Sequence, residues 1–446
     1  MAEVQPLQGI LYNIDTIKNI SDVVTPPYDV ISEKERDVFY KRHPNSIIRL
    51  DKGKPADTDT DADNPHTRAA AYFQTWLRDH VLIQDEEPAF YLTSLEFDVD
   101  GQAMARYGLI GRVNIEPFEK GIVLPHEKTF SKVKTERLAL IKASHANFSQ
   151  IFSIFSDESD IIGWLKNSVA TMPPVYDFID DTGHRHQLWR ITDPTILRKV
   201  TGSFKEKKLF IADGHHRYET ALNYKKWLIE TGVDVSADHP ASYTMMYLSA
   251  IQDPGLVILP THRLVTRVPE NSRADFLKAA AIYFDMEHFA FDSSDLTQTQ
   301  KQFRQAMAAT AGQNKIGVFM KDRPSYTILS LRPDMMNRTF GDEIDPLLKE
   351  LDVTVLTRLI LGTILEFTDA MLDDETVINF TSSDVKAITA ITTGTHDMAF
   401  MLNPTTNRQV QGIAEKGLIM PRKSTYYFPK AISGLVMRSL HPGSNG

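Results

Sequence analysis

The chain has 446 residues, 42% apolar and 24% charged, a globular balance long enough for two or three domains or one elaborated one. It has no cysteine, which excludes disulfides, cysteine-ligated zinc, iron–sulfur clusters and thiol catalysis. Its formal net charge of −9 argues against a broad electrostatic grip on nucleic acid, and no apolar run approaches the roughly 18 residues of a membrane span.

The opening stretch, "MAEVQPLQGILYNIDTIKNI", lacks a basic segment followed by an apolar one, so it does not read as a signal peptide and the expected location is the cytoplasm. "VVTPPYDVIS" (23–32) sets Tyr28 and Asp29 after Pro26-Pro27, whose fixed extended path suits an acid presented as general base or metal ligand. An equal reading makes Asp29 the cap of a helix near "SEKERDVF". Asp51 to Pro65, "DKGKPADTDTDADNP", is acidic and rich in turn formers and reads as an exposed loop; it lacks the central glycine and final glutamate of an EF-hand. Ala70, Phe73, Trp76 and Leu77 then recur at helical spacing. From Ala89, two apolar-aromatic runs flank Asp98 to Gly101 and predict a β-hairpin.

"VLPHEKTFSKVKTERLALIKAS" (123–144) gathers His126, Glu127, Lys128, Thr129, Lys132, Lys134 and Arg137, a basic group beside one acid that could line an anion site or form a solvated face of a helix over 134–145. "KKLFIADGHHRYETALNYKKWLIETG" reads as a buried strand at Leu209–Ala212, a tight Asp213-Gly214 turn and a helix over 217–231 that Gly232 can end. Ala221, Tyr224, Trp227 and Leu228 share one face of that helix. A helix start after a glycine turn is an anion site, with His215, His216 and Arg217 adding donors. Two readings compete with phosphate binding. In one, Asp213 caps the helix while the histidines satisfy buried carbonyls; in the other, the histidines hold a metal, although zinc ligands on a helix usually sit about four residues apart.

"ASYTMMYLSAIQDPGLVILPTHRLV" predicts a second strand pair around Asp253-Pro254-Gly255, and "ADFLKAAAIYF", "KQFRQAMAATA" and "DVTVLTRLILGTILEF" predict helices. "GLIMPRKSTYYFPK" (417–430) nears Walker A spacing, but Arg422 stands where the second glycine belongs, so an ordinary P-loop is rejected. Lys423, Ser424, Thr425 and Lys430 still read as anion contacts, against an ordinary structural loop. No G-x-G-x-x-G follows a strand and no G-x-S-x-G elbow occurs. Strands and helices mix without strict alternation, which predicts an α+β, or mixed α/β, fold.

Together "TPPYDVIS", "LPHEKT", "IADGHHRYETA" and "MPRKSTYYFPK" resemble the family called domain of unknown function 1015 over nearly the whole chain. Its "DGHHR" element is similar to the D-G-H-x-R motif of the ParB/sulfiredoxin superfamily, which holds nucleotide phosphates on this strand-turn-helix. The resemblance implies a ParB/sulfiredoxin-like nucleotide-binding core with a mixed sheet over residues 1–255 and a C-terminal α/β region over 256–446 that completes the site. It implies ATP or ADP, or another nucleotide, with Mg2+. Sulfiredoxin activity is excluded by the missing cysteine, and a DNA clamp is disfavoured by the acidic charge and the lack of a clear recognition helix. The free serine kinase branch needs a phosphate loop, a carboxylate base and magnesium. Carried over, Asp213, Gly214, His215, His216 and Arg217 would hold phosphates; from local chemistry, His126, Lys128, Lys423, Ser424 and Thr425 are further nucleotide-contact candidates, and no dedicated metal site is expected. Asp29 and Glu127 are the base or metal candidates from local chemistry. The expected function is a kinase for a small hydroxyl compound, with free L-serine as substrate; a nucleotide-binding regulatory or partner-binding protein stays open, as does a homodimer.

Overall fold

The computed structural model describes residues 1–129, 131–290, 296–308, 313–321 and 323–442, and the chain divides into two compact units. The first holds Met1–Pro125, Thr129–Val257 and the segment from Pro429 onward; the second holds His126–Lys128 and Ile258–Phe428. The fold is mixed α/β, as the interleaved patterns predict.

The first unit is built on a nine-stranded mixed sheet. From one edge its order is Val123–Leu124, Leu209–Asp213, Ile151–Phe155, Tyr243–Ala250, Gln102–Asn114, Phe90–Val99, Arg185–Ile191 and Tyr176–Ile179, with Val4–Gln5 also paired to Gln102–Asn114. Leu209–Asp213 runs parallel to Val123–Leu124, and Tyr243–Ala250 runs parallel to Ile151–Phe155, while the other pairings are antiparallel. The predicted hairpin forms, because Asp100 and Gly101 take φ of 52° and 82°, the positive values its tight turn needs. Tyr243–Ala250 is buried at every position, as a continuous apolar run in a sheet centre should be. Phe90, Leu109, Ile151, Phe155, Leu209, Ile211, Met246 and Leu248 knit these strands into one core.

The helix at His215–Glu230 follows Leu209–Asp213 directly. Tyr218, Ala221, Tyr224 and Leu228 are buried, at the three- and four-residue intervals of one helical face. Its end is closed by Gly232 at φ 88°, with the Gly232 amide donating to Ile229 and the Val233 amide to Leu228, both at 3.0 Å. The helix at Pro65–Arg78 buries Ala69, Phe73 and Trp76, so Ala69 takes the core position expected for Ala70.

The expected strand pair around Asp253-Pro254-Gly255 does not form. The run before the turn lies in the first unit's sheet, whereas the run after it leads to His262–Val265, a strand of the second unit. Asp253 instead organises the turn locally, accepting from the amides of Gly255 at 2.7 Å and Tyr107 at 2.9 Å. A turn signal sets a change of direction but not the strands that follow it.

The second unit contains a six-stranded antiparallel sheet ordered Phe284–Ala290, Arg323–Leu331, Lys315–Met320, Met398–Leu402, His262–Val265 and Ile378–Thr381. Alternation splits its strands between two cores: Met398, Phe400 and Leu402 face one side with Phe276 and Leu356, and Ala399 and Met401 face the other with Phe303 and Ile388. The helices expected near 275 and 303 are present as Glu270–Ala280 and Leu296–Met307, although residues 309–311 of the latter prediction lie outside the described residues. Val355–Ile364 is helical as expected but π-wound rather than α-wound. Among the described residues, no helix is long and apolar enough to cross a membrane.

Candidate functional site

In the first unit, Leu209–Asp213 delivers the chain to Gly214, whose φ of 94° turns it straight into the helix. A β-carbon on Gly214 would lie 2.8 Å from Arg217 Nε, so only glycine permits both the turn and the close approach of the arginine. Gly214 is the residue before the helix, and no side chain caps the helix start. Asp213 therefore does not cap it. Its carboxylate instead accepts from Arg217 Nη2 at 2.6 Å and from Lys430 Nζ. The side chains of Asp213, Arg217 and Lys430 are only 13%, 11% and 12% exposed. Burial opposes the charge on Asp213, but Lys430 and then Arg217 outweigh it and hold the carboxyl well below its ordinary range. The trio carries one net positive charge at the positive end of a helix dipole.

His215 is 4% exposed, and burial, helped by the neighbouring cations, pushes its imidazole down to about 3. At neutral pH it offers an uncharged ring, a hydrogen-bonding group rather than a cation. Arg217 also donates Nη1 to the Gln150 carbonyl, and Gln150 Nε2 donates to the Ile432 carbonyl at 2.9 Å, so the chain following Lys430 is tied to the same framework.

Asp29 lies in the same unit. It sits in a short 3-10 turn, Tyr28–Val30, and is exposed. It is not a helix cap, because Ser32 caps the helix that follows: Ser32 accepts from the Glu35 amide at 3.3 Å and Glu35 accepts from the Ser32 amide at 2.7 Å. Burial disfavours the charge on Arg217, but Asp213, then Tyr28, Asp29 and Asp51 outweigh it and raise the guanidinium's pKa, which places Asp29 within electrostatic reach of the helix start. Arg137 lies over the Tyr28 ring at 4.0 Å and donates to the Asp51 carbonyl at 2.7 Å and carboxylate at 3.1 Å, while Ser433 donates to the other Asp51 oxygen at 3.0 Å. A cavity of about 50 Å³ beside Arg217 is lined by Asp51, Arg137, Thr220 and Thr244; it has room for a few waters and not for a nucleotide.

His216 belongs to the first unit, whereas His126, Glu127, Lys128, Lys423, Ser424 and Thr425 belong to the second. His126 is fully buried, its Nε2 3.0 Å from Thr425 Oγ1, and its carbonyl accepts from the Met420 amide at 3.0 Å. Glu127 accepts from the Lys423 amide at 2.9 Å. Ser424 donates to the Pro421 carbonyl, and Lys128 and Lys423 are exposed. Arg263 anchors the loop, donating to the Arg422 and Lys423 carbonyls at 2.9 and 3.0 Å; burial pulls its pKa down to about 9, against the attraction of Glu127. The loop leads into the strand Tyr426–Phe428 and not into a helix, which removes the remaining P-loop analogy.

The sequence group Lys423, Ser424, Thr425 and Lys430 is thus divided, with Lys430 alone in the first unit. Thr129 and Lys134 also belong to the first unit and engage Glu219 at 2.7 and 2.5 Å, whereas the Lys132 side chain lies outside the described residues. Sequence reasoning missed Asp51, which sits in a helix, Ile48–Asp51, and is 3% exposed despite heading an acidic run.

A model of the family described as protein of unknown function (DUF1015) matches residues 4–354. The chain belongs to the DUF1015 family. No curated protein matches this DUF1015 chain. Among solved structures it is similar to a conserved hypothetical protein from Pyrococcus furiosus, at 11% identity and a TM-score of 0.32 over 71% of this chain and 93% of that one. It is also similar to a free serine kinase in complex with AMP, at 11% identity and TM-score 0.32 over 69% and 83% of the two chains. A third likeness is to C-terminally truncated SbnI from Staphylococcus aureus, at 8% identity and TM-score 0.35 over 73% and 85%.

Proposed function

We propose that the protein is a nucleotide-dependent phosphotransferase acting on a small hydroxyl compound, with free L-serine as the substrate to try first. The observation that carries this reading is the helix start at Gly214, uncapped by any side chain, with Arg217 and Lys430 beside it and Asp29 within electrostatic reach. The choice of serine comes from the resemblance of "DGHHR" to the free serine kinase branch. In the reaction, the acceptor hydroxyl oxygen forms a bond to the terminal phosphorus of ATP or ADP. The bond from that phosphorus to the bridging oxygen breaks, the shortened nucleotide leaves, and the hydroxyl proton passes to Asp29. His215, His216 and Arg217 cradle the phosphates, and Arg217 and Lys430 offset the charge that develops on them.

Magnesium, when bound with the nucleotide, neutralises phosphate charge. No group of three His, Cys, Asp or Glu side chains able to hold a metal occurs among the described residues, and Asp213 is committed to two cations. That donor set fits an ion that would be carried mainly by phosphates and water. Glu127, the other carboxylate expected from the sequence, belongs to the second unit and accepts from the Lys423 amide.

The experiment is purified protein with L-serine, magnesium and either ATP or ADP, read for phosphoserine. Asp29→Ala should lower kcat by about 10²- to 10⁴-fold with nucleotide affinity kept, and Arg217→Ala should weaken nucleotide binding. The reading fails if no phosphorylated product forms and both variants behave like the unaltered protein. One observation favours a second reading, a nucleotide-gated regulatory protein: Arg217 and Lys430 already share Asp213, so an entering phosphate must compete for them and so displace internal contacts. In that case nucleotide would bind without product and change oligomeric state or partner affinity.

A further inference from the structure

Arg106, in the strand Gln102–Asn114, is fully buried in the first unit. Its Nη2 donates to the Pro429 carbonyl at 2.7 Å and its Nε to the Tyr247 hydroxyl at 3.2 Å, both groups of the same unit. The guanidinium lies 4.9 Å from the centre of the Phe152 ring and 5.7 Å from that of Tyr247. Those two aromatics meet edge to face with ring centres 4.9 Å apart, and Phe152 is the residue paired with Asp213 across the sheet. A β-carbon on Gly108 would lie 2.0 Å from the Tyr247 ring, so the bare backbone there is what lets this ring lie across the strand and bring its hydroxyl to Arg106.

Arg106 is itself braced. The Tyr107 amide donates to Asp253 at 2.9 Å and the Ser249 hydroxyl to the Tyr107 carbonyl at 2.8 Å, so the strand is fixed beside the arginine on both backbone groups of its neighbour. The chain at Lys430 needs such support from outside. Pro429 has no amide hydrogen, so its carbonyl is its one backbone hydrogen-bonding group, and that carbonyl accepts from Arg106. On the other side of Lys430, the Ile432 carbonyl accepts from Gln150 at 2.9 Å. Lys430 is thus suspended between two buried side chains, Arg106 before it and Gln150 after it. A lysine ammonium on its flexible stem meets a fixed point only as precisely as its backbone is held.

Resting on the phosphotransferase reading, we infer that Arg106 is a positioning residue for Lys430: by holding the Pro429 carbonyl it sets where the Lys430 ammonium lies beside Asp213, and so where that ammonium meets the phosphates of the nucleotide. Fully enclosed, Arg106 touches no ligand and acts through Lys430. A guanidinium suits the task, because its planar fork spans the carbonyl and the phenol while its faces lie against aromatic rings, a set of contacts that one ammonium cannot copy.

A double-mutant cycle in the full chain tests this, with ADP as the probe and calorimetry as the readout. Arg106→Met should weaken ADP by about ten- to a hundredfold, the scale of loss when a positioned group moves by about 1 Å, and Arg106→Lys should restore part of it. In a Lys430→Met background, Arg106→Met should weaken ADP no further. Tyr247→Phe removes only the hydroxyl that Arg106 Nε meets and should show a smaller loss with the same dependence on Lys430, which keeps the test in force if thermal melting finds Arg106→Met unfolded. Equal losses with and without Lys430 would overturn the proposal by making Arg106 a support of the fold at large, and so would an unchanged ADP affinity in Arg106→Met. Phosphoserine formation separates this result from the phosphotransferase reading. If the two residues are coupled but no phosphorylated product forms, that reading fails while the role of Arg106 stands; if product forms but the losses simply add, the reverse holds.

Discussion

Replacing Gly214 with alanine tests the geometry on which the candidate site depends. Two costs arise. An L-residue in left-handed backbone costs about 1–2 kcal/mol, and Gly214 has φ 94°. The new β-carbon would also lie 2.8 Å from Arg217 Nε and 3.0 Å from its Cζ and Nη2, so the guanidinium must shift from its 2.6 Å contact with Asp213. Removing a partner from a buried ion pair costs about 3–5 kcal/mol, but here the partner is displaced rather than deleted and Lys430 still neutralises Asp213. A combined loss of about 2–4 kcal/mol follows from these two sources. Gly101→Ala is the control, since Gly101 has a similar φ of 82° with nothing within 4 Å of its added carbon, and it should lose only the backbone share. Urea denaturation at constant m gives both stabilities, and calorimetry gives nucleotide affinity, which Gly214→Ala should weaken at least about tenfold if Arg217 is a phosphate contact. Equal stability losses in the two variants, with nucleotide affinity intact, would refute the close-approach argument.

Acid stability offers a second check. His215 in the unfolded chain takes its proton near 6.5 but in the folded chain only near 3, so stability should fall as pH drops through that window, by up to about 1.4 kcal/mol per pH unit. His215→Asn should flatten that limb in pH-dependent denaturation. Asp213 contributes in a lower window, its stabilisation fully present above the ordinary value of 3.8 and lost only as pH falls well below it. In the second unit, Arg263→Met removes the donor to the Arg422 and Lys423 carbonyls and should destabilise by about 1–3 kcal/mol, with hydrogen exchange accelerated over 420–425; unchanged exchange there would show that the loop does not depend on Arg263.

Local patterns were readable wherever one stretch contains its own explanation. Asp100-Gly101 announces a hairpin because few residues accept two consecutive positive φ values, and Gly232 announces the end of the helix for the same reason. The strand-turn-helix at 209–230 combines an apolar run, a glycine turn and helical periodicity without any distant partner. Pairing across the chain was not readable. The runs on either side of Asp253 look like neighbours, yet their partners are chosen by side chains more than a hundred residues away in sequence, such as Asn114 opposite Tyr243 and Thr381 opposite His262. The same holds for the breaks after Pro125 and Phe428, where the chain changes units with no glycine or acidic linker to mark them.

The site shows why composition hides buried charge. Asp51 heads "DKGKPADTDTDADNP", where Asp57, Asp59, Asp61 and Asp63 make solvent the natural expectation, and only Arg137 and Ser433, 86 and 382 residues away, reveal it as an interior group. Arg36 sits in "SEKERDVFYKR", whose alternating charges read as a solvated helix, and the capping box starting at Ser32 reinforces that reading. Nothing in the spacing separates Arg36 from Arg42, which is on the same helix and reaches Asp181. The difference is energetic. Arg42 meets an acid at a partly exposed position, while Arg36 is buried without an ion pair, a mismatch between burial and pairing that no local pattern encodes.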